Sequence, residues 1–282
     1  MIAVVYSGSR NADWKLSDKG RIVCDLKTAG INPFFNDERT ITSILNKNNQ
    51  LINHAEEIKR IYFFGAGASS KERQQVVANA FSGFFRNSKI YIAHDLKAAA
   101  LATCGDSPGI VGILGSGANA AYFNGKKIKQ NNFGMGYILA DEGSSNWLGR
   151  SLLRDYFTGV LPKEFEDRFV QKYNPDRKLI LDKIYKQTSP VLFLSSYTDF
   201  LIENLDQHYV RNLVKTGFKL YFANYIMPLA EKYPGLPLHF TGPVAAGFQQ
   251  ALNETAIENN LTISSIIKRP IYNILNYYTN KN

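Results

Sequence analysis

The sequence predicts a mixed α/β protein built as two similar domains around a cleft, with a helical insertion in the second. Three observations predict it. Strand and helix signals alternate through the first third of the chain. An opening unit of strand, small-residue turn and further strands returns at 109–129. A long and mainly helical stretch then separates that second unit from the last strands. A chain of 282 residues is also long for a single core.

The β-branched run at 2–6 reads as a buried strand, and 11–17 and 20–26 follow it as partners, with "SDKG" (17–20) closing the second hairpin. One helix is expected from about Glu38 to Ile52. "RIYFFG" (60–65) is a buried strand, and the amphipathic 70–85 a helix after it. "KIYIAHD" (89–95) is the next strand, and "LKAAALATC" starts a helix. Residues 109–129 then repeat the opening as an apolar strand, a Gly/Ser turn, a second strand, a Gly turn and a third strand. Gly8-Ser9 falls on Gly115-Ser116 and, one residue of slippage later, Asn11-Ala12 on Asn119-Ala120. From about 144 to 232 the chain reads as helices, with Pro162, Pro175 and Pro190 between them. A strand within 236–242, a helix from Val244, a strand at 261–266 and a helix at 270–278 complete the pattern. The expected domains are 1–105 and 106–282, with the insertion at about 144–232.

Composition narrows the class. The longest apolar runs fall short of the roughly 20 residues that span a bilayer, and the N-terminus lacks the layout of a signal peptide. Cys24 and Cys104 make no CxxC pair, so reduced thiols and a cytoplasmic location are expected, with no metal site. A formal net charge of +9 favours an anionic small partner. The basic residues are dispersed, "KKIK" (126–129) being the densest group, so neither nucleic acid nor membrane is expected as partner.

Three small-residue turns follow buried strands: Ser7-Gly8-Ser9, Gly115-Ser116-Gly117 and Thr241-Gly242-Pro243. Turns of this kind let backbone N–H groups converge on an anion, although hairpins need glycine in any case. Two of the three lie in the repeated units, which favours nucleotide phosphate as their ligand. Asp95 opens an Ala-rich helix, and reads equally as an N-cap or as a general base at a strand end. Asp141 and Glu142 lie in a Gly/Ser loop ahead of a helix, with Ser144 or Ser145 as its cap. The pair either supports that helix start or binds sugar hydroxyls. A competing layout, strand followed by Gly65-Ala66-Gly67 with Ser70 in place of a third glycine, fits a dinucleotide fold but leaves the repeated units unexplained.

Taken together, the blocks "SGS…DW" (7–14), "GINPFF" (30–35), "FGAG" (64–67), Asp95 with "KAAALATCG", "ILGSGAN" (113–119), "LADEGSSNWLG" (139–149) and "FTGPVA" (240–245) resemble the bacterial N-acetylglucosamine kinase group. That group lies within an ATPase family that includes the dehydratase activators, in the sugar kinase, heat-shock chaperone and actin superfamily. The activators' cluster-binding cysteines have no counterpart here. The resemblance implies two ribonuclease H-like, actin-like ATPase domains with an inter-domain cleft. It also implies phosphorylation of an amino sugar, most of all N-acetylglucosamine, by ATP with Mg²⁺. Carried across by position, Ser9 and Arg10 fall in the first phosphate loop, and Ser116 and Gly117 in the second. Gly242, Pro243 and Ala245 border the adenosine, and Asp95 is the base. Asn32, Asn119, Asp141 and Glu142 contact the sugar. A homodimer is left open.

The departures from the family pattern fall on the phosphate side. Tyr6 stands where the opening carries a metal-directed Asp, and Arg10, Asn11 and Ala12 replace Thr, Lys and Thr. Ala118 departs from the second loop's pattern, Ala140 from the acidic loop's, and Pro243 from the adenosine block's. Two readings follow: a kinase with weakened or lost turnover, or a non-catalytic sugar- or nucleotide-binding protein on the same fold.

Overall fold

Residues 1–8, 10–129, 131–187 and 189–280 are described by the computed structural model. It opens on β1 (Ile2–Ser7), β2 (Asn11–Asp18) and β3 (Arg21–Ala29), an antiparallel meander. Lys19 and Gly20 join β2 to β3 with φ of 45° and 80°, the two left-handed positions of a tight hairpin turn. Next come α1 (Glu38–Asn46), α2 (Asn49–His54), β4 (Arg60–Gly65), α3 (Lys71–Phe84), β5 (Lys89–His94) and α4 (Asp95–Cys104). Strands β4 and β5 add in parallel beside β1, giving the order β3-β2-β1-β4-β5. A meander leading into parallel crossovers is not a dinucleotide fold, so the Gly65-Ala66-Gly67 alternative is set aside. The single helix expected over 38–52 is two helices, because Asn48 leaves helical geometry and its side chain accepts from the Leu51 N–H at 3.1 Å as a new N-cap.

The chain continues with β6 (Pro108–Leu114), β7 (Ala118–Asn124) and the short α5 (Gly136–Leu139). A helical run follows: α6 (Ser145–Phe157), α7 (Lys163–Tyr173), α8 (Arg177–Tyr185), α9 (Pro190–Ser195), α10 (Thr198–Glu203), α11 (His208–Tyr221), a π-helical turn at Phe222–Ile226, and α12 (Met227–Lys232). Then come β8 (Leu238–Thr241), α13 (Pro243–Gly247), α14 (Gln249–Glu258), β9 (Ile263–Ile267) and α15 (Ile271–Thr279). The second sheet runs β7-β6-β8-β9, with β6, β8 and β9 parallel. Among the described residues the expected third strand of the second unit is reduced to a short return. The bridge Phe123↔Ile128 is flanked by bonds from the Asn124 N–H to the Lys127 carbonyl at 3.2 Å and from the Lys129 N–H to the Tyr122 carbonyl at 2.9 Å. "KKIK" carries one apolar residue among three cations, so it has no alternating face to bury.

The chain divides into two compact units, and not by a single cut. The first comprises Met1–Ser107, Phe123–Ile128 and the residues from Arg269 on; the second comprises Pro108–Tyr122 and Lys129–Lys268. The sequence division at 105/106 places the last helix with the second domain. Instead α15 packs into the first unit. Tyr278 stacks on Tyr62 at 3.7 Å, Tyr277 Oη donates to Asp106, and buried Lys15 holds Tyr272 and Asp25. The first core gathers Trp14, Phe63, Phe81 and Phe85. The second is dominated by aromatic residues of the helical run, among them Phe165, Phe169, Phe200, Phe218, Tyr221 and Tyr225, with Phe240 from the sheet.

Candidate functional site

In the first unit the strands β1, β4 and β5 end level with one another, with Ser7 opposite Gly65 and Gly65 opposite His94. The carboxyl ends of parallel strands are where α/β sheets place their ligands, and several predicted residues gather at this edge. His94 occupies the N-cap position of α4 without a side-chain bond, and Asp95 is the first helical residue, its Oδ1 accepting from the Leu96 N–H at 2.8 Å. The cap reading of Asp95 is therefore met at the Leu96 N–H. Burial pushes its carboxyl above the ordinary carboxylate range, against the opposing pull of His94, while burial holds His94 below its own. Asn32 is buried. Its Oδ1 accepts from the Phe34 N–H at 3.0 Å and lies against Gly67, whose φ is +78° and whose missing Cβ would fall 2.0 Å from that oxygen.

The first loop is less open than its sequence implies. The Ser7 hydroxyl accepts from the Ile31 N–H at 2.7 Å and bonds the Ile31 carbonyl at 3.0 Å, and the Gly8 N–H donates to the Asn11 carbonyl. Those groups are spent on holding the loop. Arg10 is exposed, and Ser9 lies outside the described residues. Tyr6 pairs with Asp13 across the hairpin, and its phenol is pushed well above its ordinary range by burial, then by the charges of Asp95 and Asp13. It is a neutral hydroxyl at any physiological pH.

In the second unit the turn after β6 and the turn after β8 lie side by side, with Ile113 opposite Thr241 and Pro243 packed at Gly115. Gly115 donates within its own turn to Gly117, and the Ala118 N–H donates to Asp141 Oδ1 at 2.9 Å. The Ser116 and Gly117 N–H groups follow in the same turn, an arrangement suited to a phosphate oxygen. Gly242 opens α13 beside them, with Pro243 exposed; Ala245 is fully buried in the core, so its side chain is not offered to a ligand.

Asp141 is the hub of this edge. Its φ is 67°, and its second oxygen accepts from Asn146 Nδ2 at 2.9 Å. Its carboxylate comes so near Gly117 that a Cβ there would sit 3.0 Å from Oδ1. Burial pushes the Asp141 carboxyl up, opposed by the bonds from Ala118 and Asn146. Ser144 is the N-cap of α6, accepting from the Trp147 N–H, so Asp141 and Glu142 are not needed to cap it. Asn119 is half-buried; its carbonyl accepts from Tyr221 Oη at 2.9 Å, and its carboxamide approaches the open side of Gly134. The sequence reading missed Asn146, Asn224 and Tyr225. Tyrosines four apart on a helix read as core, and Asn146 stood within a quoted block without a role.

Among the described residues there is no group of three or more His, Cys, Asp and Glu placed to hold a metal ion, and no helix is long and apolar enough to cross a membrane.

Sheet order, parallel crossovers and paired turns at the strand ends define the sugar kinase and actin-like ATPase fold. Comparison with known proteins narrows this. No protein-family model matches the chain, nor does any curated protein sequence. Among solved structures, a protein of Porphyromonas gingivalis, provisionally named an N-acetylglucosamine kinase, is 33% identical over 99% of both chains, with a TM-score of 0.93. One from Chromobacterium violaceum, named in the same way, is 14% identical over 98% of this chain and 99% of its own, at 0.68. A glucokinase of the ROK family from Streptomyces griseus, in complex with glucose and AMPPNP, is 12% identical over 95% and 93%, at 0.59. The last two likenesses show the fold alone. The first shows the family: the chain belongs to the N-acetylglucosamine kinase-like proteins of the sugar kinase and actin-like superfamily.

Proposed function

We propose that the protein binds an amino sugar, N-acetylglucosamine first among them, and transfers to it the terminal phosphoryl group of ATP, slowly. The observation that carries the reading is Asp95. It stands at the first sheet's carboxyl edge, with a proton affinity raised by burial, as a general base requires. The likeness to the Porphyromonas gingivalis protein supplies the class of substrate. In this mechanism Asp95 takes the proton of the attacking sugar hydroxyl as that oxygen bonds to phosphorus and ADP leaves. Asn32, Asn119, Asp141 and Glu142 hold the sugar. The Ser116 and Gly117 N–H groups receive phosphate, Arg10 adds a guanidinium, and Gly242 with Pro243 borders the adenosine. ATP supplies the phosphoryl group.

Mg²⁺ fits less well. The residue at the metal-directing position is a neutral phenol, so no step is assigned to the ion. That feature, together with the first-loop groups already spent on Ile31 and Asn11, favours the second reading, a sugar- or nucleotide-binding protein without turnover. Product formation from ATP and N-acetylglucosamine separates the two. Asp95→Asn is expected to abolish turnover, on the order of a hundredfold or more, while calorimetric sugar affinity changes little. A variant with near-normal turnover reduces Asp95 to a helix-start residue. A parent that binds the sugar without product supports the second reading.

A further inference from the structure

The helical run of the second unit is continuous from His208 to Lys232 except at Phe222–Ile226, where five residues adopt π geometry. A π turn inserts an extra residue and redirects the side chains that follow; such turns are rare and cluster at functional sites. Here it delivers two consecutive side chains to one carboxylate. Asn224 Nδ2 donates to Glu142 Oε1 at 3.1 Å, and Tyr225 Oη donates to Glu142 Oε2 at 2.8 Å. The same Tyr225 oxygen accepts from the Asp141 N–H at 3.0 Å.

We propose that Tyr225 is the positioning residue of the acidic loop, fixing Asp141 and Glu142 for the amino sugar; this rests on the sugar-binding reading above. One hydroxyl bonds the backbone of the first acid and the carboxylate of the second, so neither turns independently. The bond to Asp141 N–H is made where the backbone benefits from being held, because Asp141 is in the left-handed region, which costs a residue with a side chain more than it costs glycine. That conformation sends the Asp141 carboxylate to the Ala118 N–H and to Asn146, which ties the acidic loop to the turn after β6.

Tyr225 is itself held. Its ring stacks on Tyr221 at 4.9 Å, meets the edge of Phe133 at 5.4 Å, and is almost wholly buried. Burial and the Glu142 carboxylate raise the phenol's pKa, so it remains a donor across the working pH range. Tyr221, one turn earlier, bonds the carbonyl of Asn119. The π segment and the turn before it thus support both the amide and the acidic sides of the candidate sugar site.

Tyr225→Phe keeps the ring packing and removes both bonds. Two measurements on the intact chain test it: amide hydrogen exchange at Asp141, and KM, kcat and affinities for N-acetylglucosamine and AMPPNP. Exchange at Asp141 is expected to quicken about tenfold or more, and the sugar KM or Kd to rise about tenfold, in line with loss of a hydrogen bond to a charged group. AMPPNP affinity and kcat should stay within about threefold, a split that general loss of structure would not produce. Asn224→Ala, made at an exposed residue, should raise the sugar KM or Kd about threefold and leave exchange at Asp141 unchanged. Unaltered exchange in Tyr225→Phe overturns the inference, as does quickened exchange with sugar affinity within twofold of the parent. Should that variant not fold, Asn224→Ala decides, and an unchanged sugar affinity overturns it. A parent that binds no amino sugar fails the kinase reading. The exchange comparison then still decides whether Tyr225 holds the loop.

Discussion

Tyr6 and Asp95 are within electrostatic reach of each other, and each titrates high for the same reason: burial penalises the anion. For Asp95 the sign follows directly. Its pKa is higher folded than unfolded, so the folded state keeps the proton longer and loses stability as pH rises from the ordinary carboxylate value, 3.8, through the raised one. Asp95→Asn is therefore expected to melt no lower than the parent at pH 7 while losing turnover, a combination that a calorimetric scan beside the assay would check. On the proposed mechanism the acid limb of kcat/KM in the parent should lie above pH 3.8, since a general base acts only when deprotonated. At Tyr6 no such charge is available to direct a cation. Tyr6→Asp, alone or with Arg10→Thr, is expected to raise turnover on the order of a hundredfold and to make it sensitive to EDTA. A parent that turns over at roughly ten per second or more, as ordinary enzymes do, would show that the first loop is unimpaired.

At the scale of an element, the turn after β4 decides what Asn32 can do. Gly67 accepts the Asn32 oxygen where a Cβ would stand, and does so with positive φ. Gly67→Ala should cost about 1–3 kcal/mol, read as a lower Tm, and should weaken sugar binding by displacing Asn32. The helix pair α1 and α2 gives a milder case. Asn48→Ala removes the cap that splits them, and is expected to cost about 1 kcal/mol without effect on ligand affinity.

At the scale of the whole molecule, the C-terminal helix completes the N-terminal unit. Tyr278 stacks on Tyr62 and faces Phe64, and Lys15 reaches Tyr272 and Asp25. Tyr278→Ala should destabilise the first unit by about 2 kcal/mol, more than one aromatic pair because Tyr62, Phe64 and Tyr277 each lose a partner. Thermal unfolding followed by hydrogen exchange would place the loss in the strands β1 to β5. Loss confined to the second unit would contradict this assignment of α15.

Local sequence determined much of this protein. The alternation of buried strands with capped helices gave β1 to β5 and both sheets, since periodicity reports which face is buried whatever the partner. Gly/Ser turns at strand ends and Asp95 at a helix start were legible for the same reason: each depends on residues adjacent in the chain. The breaks at Asn48 and after β7 were harder, because capping competes locally with helix continuation and one apolar residue cannot pin a strand. What tertiary structure alone decided depends on distant partners. The Ser7 hydroxyl is spent on Ile31, 24 residues away; Asp141 is held by Tyr225, 84 residues away; α15 returns to β4 across most of the chain. A hydroxyl reads the same in the sequence whether it is free for a ligand or already bonded, because satisfaction of a polar group is settled only when packing brings its partner within 3 Å.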